Sequence, residues 1–143
     1  MSDIEFEVYQ ISIYCDIIYL ILREHKNISV VKLIFFVYAI NKERFCDKDV
    51  YNAKNTRDII SKEISTINGD FEGYANAVPY ILKSIHILVQ AEIIKVEENI
   101  AHLVDLNYNY VKCTTESKFV YNTIEKSKSW TDKRFMKEVL HNV

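Results

Sequence analysis

The stretch VPYILKSIHILVQAEIIKVEENIAHLVDL, Val78 to Leu106, changes its hydrophobic period midway. Val78, Ile81, Leu82, Ile85, Leu88 and Val89 recur at helical spacing, and two short strand-like runs then flank Glu97-Glu98-Asn99. A helix followed by a β-hairpin is the outline of a winged helix. That outline points toward nucleic acid, but its charges point away. Phosphate contacts supply most of the affinity in DNA binding, and the hairpin tip carries Glu97 and Glu98 where a phosphate-gripping wing needs Lys or Arg. The segment reads first as an interaction module.

Upstream, apolar residues recur at Ile4, Val8, Ile11, Ile18 and Leu22, and again at Phe6, Tyr9, Ile13, Ile17 and Leu20, which predicts a long helix from Asp3 to about Lys26. Two overlapping stripes imply burial on more than one side, as in a central core helix or one that also meets another subunit. Asn27-Ile28-Ser29 breaks the pattern, and Asn27 or Ser29 can cap a second helix from about Val30 to Lys42. Its apolar middle also suits a strand, but its length and flanking caps favour helix. Glu43 to Asn55 reads as a polar connection, and Thr56 to Ile67 as a third helix stopped by Asn68-Gly69. The helix containing Pro79 is expected to start near Asn76, which leaves the proline in its first turn; a kink is the alternative.

Beyond the hairpin, Tyr108, Tyr110 and Val111 alternate as an extended segment does, and Thr114 or Thr115 can cap a helix through about Lys126. Ser129-x-x-Asp132 then opens a terminal helix with Phe135, Met136, Val139 and Leu140 on its apolar side. The expectation is a single α+β domain over residues 1–143, mostly helical: a helical part to 70, a winged-helix-like helix and hairpin over 71–111, and C-terminal helices over 112–143.

At 143 residues, half of them apolar, the chain is long enough for one core, and its net charge of −2 creates no global field toward DNA. Gly69 and Gly73 are the only glycines and Pro79 the only proline. That scarcity argues against P-loop and Rossmann phosphate cradles, a G-x-S-x-G nucleophile elbow, and a turn-rich β-sandwich. Cys15, Cys46 and Cys113 are widely spaced with no C-x-x-C pair, as expected of reduced thiols in a cytoplasmic protein. The N-terminus lacks the basic region of a secretory signal, and the greasiest runs, Ile17 to Leu22 and Leu33 to Ile40, fall well short of the roughly 20 residues of a membrane span.

Chemistry finds little support in the residue pattern. His25, His86, His102 and His141 do not pair at helical ligand spacing, so no metal is expected, and no cofactor motif is present. Glu97-Glu98 lie on opposite faces of a strand or in its turn and cannot flank one bond. The expectation is a non-enzyme.

For nucleic acid, Lys83, His86 and Gln90, with Asn76, share one stripe of the Pro79 helix, and Lys133, Arg134 and Lys137 form the denser basic set near the C-terminus. The first set holds one lysine and no arginine, and the second has the bland reading of a solvated helix face. Ten tyrosines, seven phenylalanines and Trp130 point instead to protein contact. Tyr9, Phe35, Phe36 and Tyr38 are the candidate partner-binding anchors, with core filling as the competing role for each and self-association an alternative to a separate partner.

The order of a capped hydrophobic helix, Asn27-Ile28-Ser29-Val30-Val31-Lys32-Leu33-Ile34-Phe35-Phe36-Val37, and then the helix-hairpin from Pro79 to Val96 resembles the small middle component of bacterial three-component ABC defence systems, the group that includes the small subunit of Lamassu. The resemblance covers about half the chain and carries no catalytic motif. It implies an accessory subunit in anti-phage or anti-plasmid defence, seated on an SMC-like ABC ATPase and helping to hold an effector nuclease inactive, with any DNA contact indirect. A winged-helix transcription regulator is the alternative.

Overall fold

The computed structural model describes residues 2–43, 70–110 and 118–142. The connection after Glu43, the helix expected over Thr56 to Ile67 and the candidate caps Thr114 and Thr115 lie outside the described residues. Helix α1, Asp3–His25, opens with a capping box: the Ser2 hydroxyl accepts from the Glu5 amide at 3.2 Å, and the Glu5 carboxylate accepts from the Ser2 amide. Asp3 and Glu5 complement the helix dipole at this end, and Arg23 at the other. The carboxyl-terminal half is buried all round, from Tyr14 to Leu22. The amino-terminal half leaves Ile4, Phe6, Val8 and Tyr9 exposed, so the two stripes divide by position along the helix as well as by face.

Strand β1, Asn27–Ser29, follows and leads directly into helix α2, Val30–Glu43. Ser29 caps α2 by accepting from the Lys32 amide at 3.3 Å. Its tripeptide is more than a break, because it pairs antiparallel with strand β3, Ile100–Leu103. Strand β2, Ile94–Glu97, pairs with the other edge of β3, giving the order β1-β3-β2. Glu98 and Asn99 turn the hairpin with φ of 51° and 65°, the left-handed pair of a type I′ turn. The Asn99 carbonyl accepts from Val30 N at 2.8 Å, which ties the hairpin tip to the start of α2. The winged-helix-like unit therefore extends beyond residues 71–111 and takes its third strand from the N-terminal part.

Helix α3, Phe71–Gln90, begins five residues before the expected start at Asn76, and Pro79 lies in its interior. A proline there removes one helical hydrogen bond, at a cost of about 3 kcal/mol. Tyr74, Ala77 and Ile81 are buried on both sides of it, and their packing offsets that cost. The helix ends in a Schellman motif: Ile93 N donates to Leu88 O and Glu92 N to Val89 O, each at 3.0 Å. Glu92 fills the left-handed position, φ 61°, where glycine is usual.

Helices α4, Lys118–Ser127, and α5, Asp132–Asn142, close the described chain. Thr131, two residues after Ser129, caps α5, its hydroxyl accepting from Arg134 N at 3.2 Å. Phe135 and Val139 enter the core, whereas Leu140, expected beside them, is 61% exposed. Two lysines hold these helices to the body. The buried Lys32 amine donates to the Trp130 carbonyl at 2.5 Å, and Lys128 donates to the His25 carbonyl at 2.8 Å while pairing with Glu125. The result is an α+β fold with one shared core, mostly helical, whose sheet is small and antiparallel.

Candidate interaction faces

The expected aromatic anchors separate by depth. Phe35 and Phe36 are fully buried, and both rings meet Phe135, at 5.3 and 5.6 Å. A partner cannot reach either ring in this fold, so their expected role as anchors is corrected: they are core. An α2 that is apolar all round is covered by α1 and α3 along its length and by α4 and α5, and needs no second protein to bury it. Tyr38 is 9% exposed and Tyr9, on the outer side of α1, 55% exposed. Of the four, Tyr9 alone presents most of its ring to solvent.

Tyr38 belongs to a polar cluster that sequence reasoning missed. Its hydroxyl donates to Asp70 Oδ2, which also accepts from Lys42 Nζ at 2.7 Å. Lys42 and Tyr38 together hold the Asp70 carboxyl below the usual carboxylate range, while burial and the Asp70 charge push the Tyr38 phenol up. Gly73 makes the approach possible. A Cβ there would lie 2.5 Å from Asp70 Oδ1 and 2.7 Å from the Tyr38 hydroxyl. The available signal was Asp70 itself, a good helix N-cap residue type immediately before Phe71.

The outer face of α3, the helix that leads into the hairpin, has mixed chemistry. Asn76, Lys83, His86 and Gln90 are all exposed, as their spacing predicts. Pro79, Leu82 and Ile87 lie among them, with Leu82 45% and Ile87 47% exposed. Lys83 is engaged: its amine meets Glu7 of α1 at 2.6 Å and lies 5.4 Å from the centre of the Tyr80 ring. The Glu7 carboxylate raises the Lys83 pKa, so the amine is charged and locally neutralised. A shallow depression of about 400 Å³, lined by Ile11, Pro79, Leu82, Lys83, His86 and Ile87, marks this face. Ile4 and Val8 share one side of α1 with Ile11 and continue the apolar surface.

The hairpin tip is acidic, with Glu97 matched by Lys95 at 2.5 Å, and it is tethered to α2. Lys133, Arg134 and Lys137 are exposed on α5, which packs on α2. Arg134 is drawn over the Trp130 ring, 4.1 Å from its centre. Among the described residues, no three His, Cys, Asp or Glu side chains group closely enough to hold a metal ion. No described helix is long and apolar enough to cross a membrane.

Neither protein-family models, nor curated proteins, nor solved structures show a match to this chain.

Proposed function

We propose that this chain is a non-catalytic adaptor, a winged-helix-like module whose α3 outer face docks on a protein partner. The observation that carries the reading is the composition of that face. Leu82, Ile87 and Pro79 interrupt the polar stripe, and the one lysine on it is neutralised by Glu7. A phosphate-binding surface needs several uncompensated cations, whereas an apolar patch rimmed by Asn76, His86 and Gln90 has the anatomy of an interface. The resemblance of the capped α2 and the helix-hairpin to the middle component of three-component ABC defence systems supplies the proposed partners: an SMC-like ATPase, with an effector nuclease restrained in the same complex.

The test is co-purification of the tagged chain from its host at near-physiological salt, beside Leu82→Glu/Ile87→Glu. Both positions are exposed and glutamate is a good helix former, so stability should change by less than about 1 kcal/mol. Stoichiometric recovery of a large ATPase with the parent chain and its loss with the double variant support the adaptor. Recovery of the ATPase undiminished by the double variant refutes this docking face.

A winged-helix regulator is the second reading, favoured by the β1-β3-β2 sheet beside α3 and by exposed Lys133, Arg134 and Lys137. It requires salt-sensitive DNA in place of a protein partner, with Lys133→Ala and Lys137→Ala each flattening the salt dependence by about one unit of log-log slope.

A further inference from the structure

A groove of about 590 Å³ opens where the amino-terminal half of α1, the end of α2 and the start of α3 converge. Its volume is within the range of small-molecule sites. It has a built floor. Tyr14 is 1% exposed and Tyr38 9%, and both present phenol groups held by side-chain hydrogen bonds. Gln10 donates to the Tyr14 hydroxyl at 2.9 Å, which orients that amide and leaves its oxygen available as an acceptor. The Gly73 position keeps Asp70 and Tyr38 in contact, because any side chain there would separate them.

The walls are aromatic. Phe6 is 56% exposed with its ring at the groove, and Tyr80 lines the groove from α3. Asn76 adds an exposed primary amide to the same lining as Gln10. Flat rings beside amides are the elements that recognise a nucleobase: the rings stack on its face, and an Asn or Gln amide pairs with the donor-acceptor edge of adenine. The charge at the rim narrows the class further. Among the described lining residues Lys42 is the one cation and is matched by Asp70, so they offer no net positive charge to a polyphosphate.

We propose that this groove binds a purine nucleoside, adenosine in the simplest case, with the base on Phe6 and Tyr80 and its polar edge toward Gln10 and Asn76. The groove borders the α3 docking face at Asn76 but shares no residue with the apolar depression on that face. An uncharged ligand fits the paired Lys42 and Asp70, and a purine covers more of both rings than a pyrimidine does.

The experiment is a titration of the full chain with adenosine, uridine, ribose and phenol, followed by amide and aromatic NMR shifts. Adenosine should shift Gly73 and the rings of Tyr14 and Tyr38, saturating at a Kd of roughly 1 mM or tighter. Phe6→Ala should keep the thermal unfolding curve, because the ring is largely in solvent, and should weaken adenosine roughly tenfold through lost stacking. Asn76→Ala, also at an exposed position, should narrow the preference for adenosine over phenol. The proposal is overturned if adenosine leaves those resonances unmoved up to about 10 mM, ten times the expected Kd. It is equally overturned if phenol binds as tightly as adenosine, or if Phe6→Ala and Asn76→Ala both bind adenosine as the parent does.

Discussion

Replacing Phe36 by alanine separates a core residue from a partner anchor in one measurement. The ring is fully buried, with its centre 5.4 Å from that of Phe35 in an edge-on arrangement and 5.6 Å from that of Phe135. Truncating a buried phenylalanine removes its transfer free energy and leaves a cavity, together about 3–5 kcal/mol. The aromatic pairs account for part of that loss. For a chain of this length, 1 kcal/mol corresponds to roughly 3 °C, so Tm should fall by about 10–15 °C. Urea unfolding should be followed by far-UV circular dichroism and by the fluorescence of Trp130, the only tryptophan, which is 6% exposed at the α4–α5 turn. Both probes should shift together, because Phe135 joins α5 to the same core that holds Phe36. A loss below about 1 kcal/mol, or a shift seen by one probe alone, would refute the assignment of Phe36 to a shared core.

Three further outcomes follow from local geometry. Glu92→Gly should raise stability by about 0.5–1 kcal/mol in urea, because glycine takes the left-handed Schellman position without steric cost; an unchanged or lower midpoint would show that φ 61° is not strained there. Burial pushes the Cys15 thiol up to about 11, so iodoacetamide at pH 8 should modify it only after unfolding, and native labelling mapped to Cys15 by mass spectrometry would contradict this. The Asp70 carboxyl is held below its ordinary value of 3.8, so its contribution is fully present above that pH and disappears as pH falls through the folded value. Asp70→Asn should therefore reduce the acid sensitivity of stability below about pH 4, and an acid limb identical to that of the parent would be the failing result.

Local pattern was enough for the element types. A 3.6-residue period specifies α1, α3 and α5 because each needs only its own neighbours to declare a buried side, length and flanking caps mark α2, and the change of period after Gln90 gives the hairpin. The same locality explains the errors. A three-residue strand is too short to show alternation, so Asn27–Ser29 reads as a break until β3 supplies its partner. The preference of proline for a first turn places the start of α3 near Asn76, but packing of Tyr74 and Ala77 carries the helix back to Phe71. An all-apolar α2 has no directional pattern, so its sequence cannot say whether Phe36 faces a core or a partner.

Residue pattern alone carries the α+β class, the helix-hairpin, the acidic tip at Glu97 and Glu98, and the exposed stripe from Asn76 to Gln90. Folding in three dimensions makes Phe35 and Phe36 core, brings Lys83 to Glu7, and joins Tyr38 to Asp70 across 32 residues. The difference is one of range. Periodicity and capping act within a few turns of chain, whereas burial, charge pairing and the walls of a groove arise where distant segments meet.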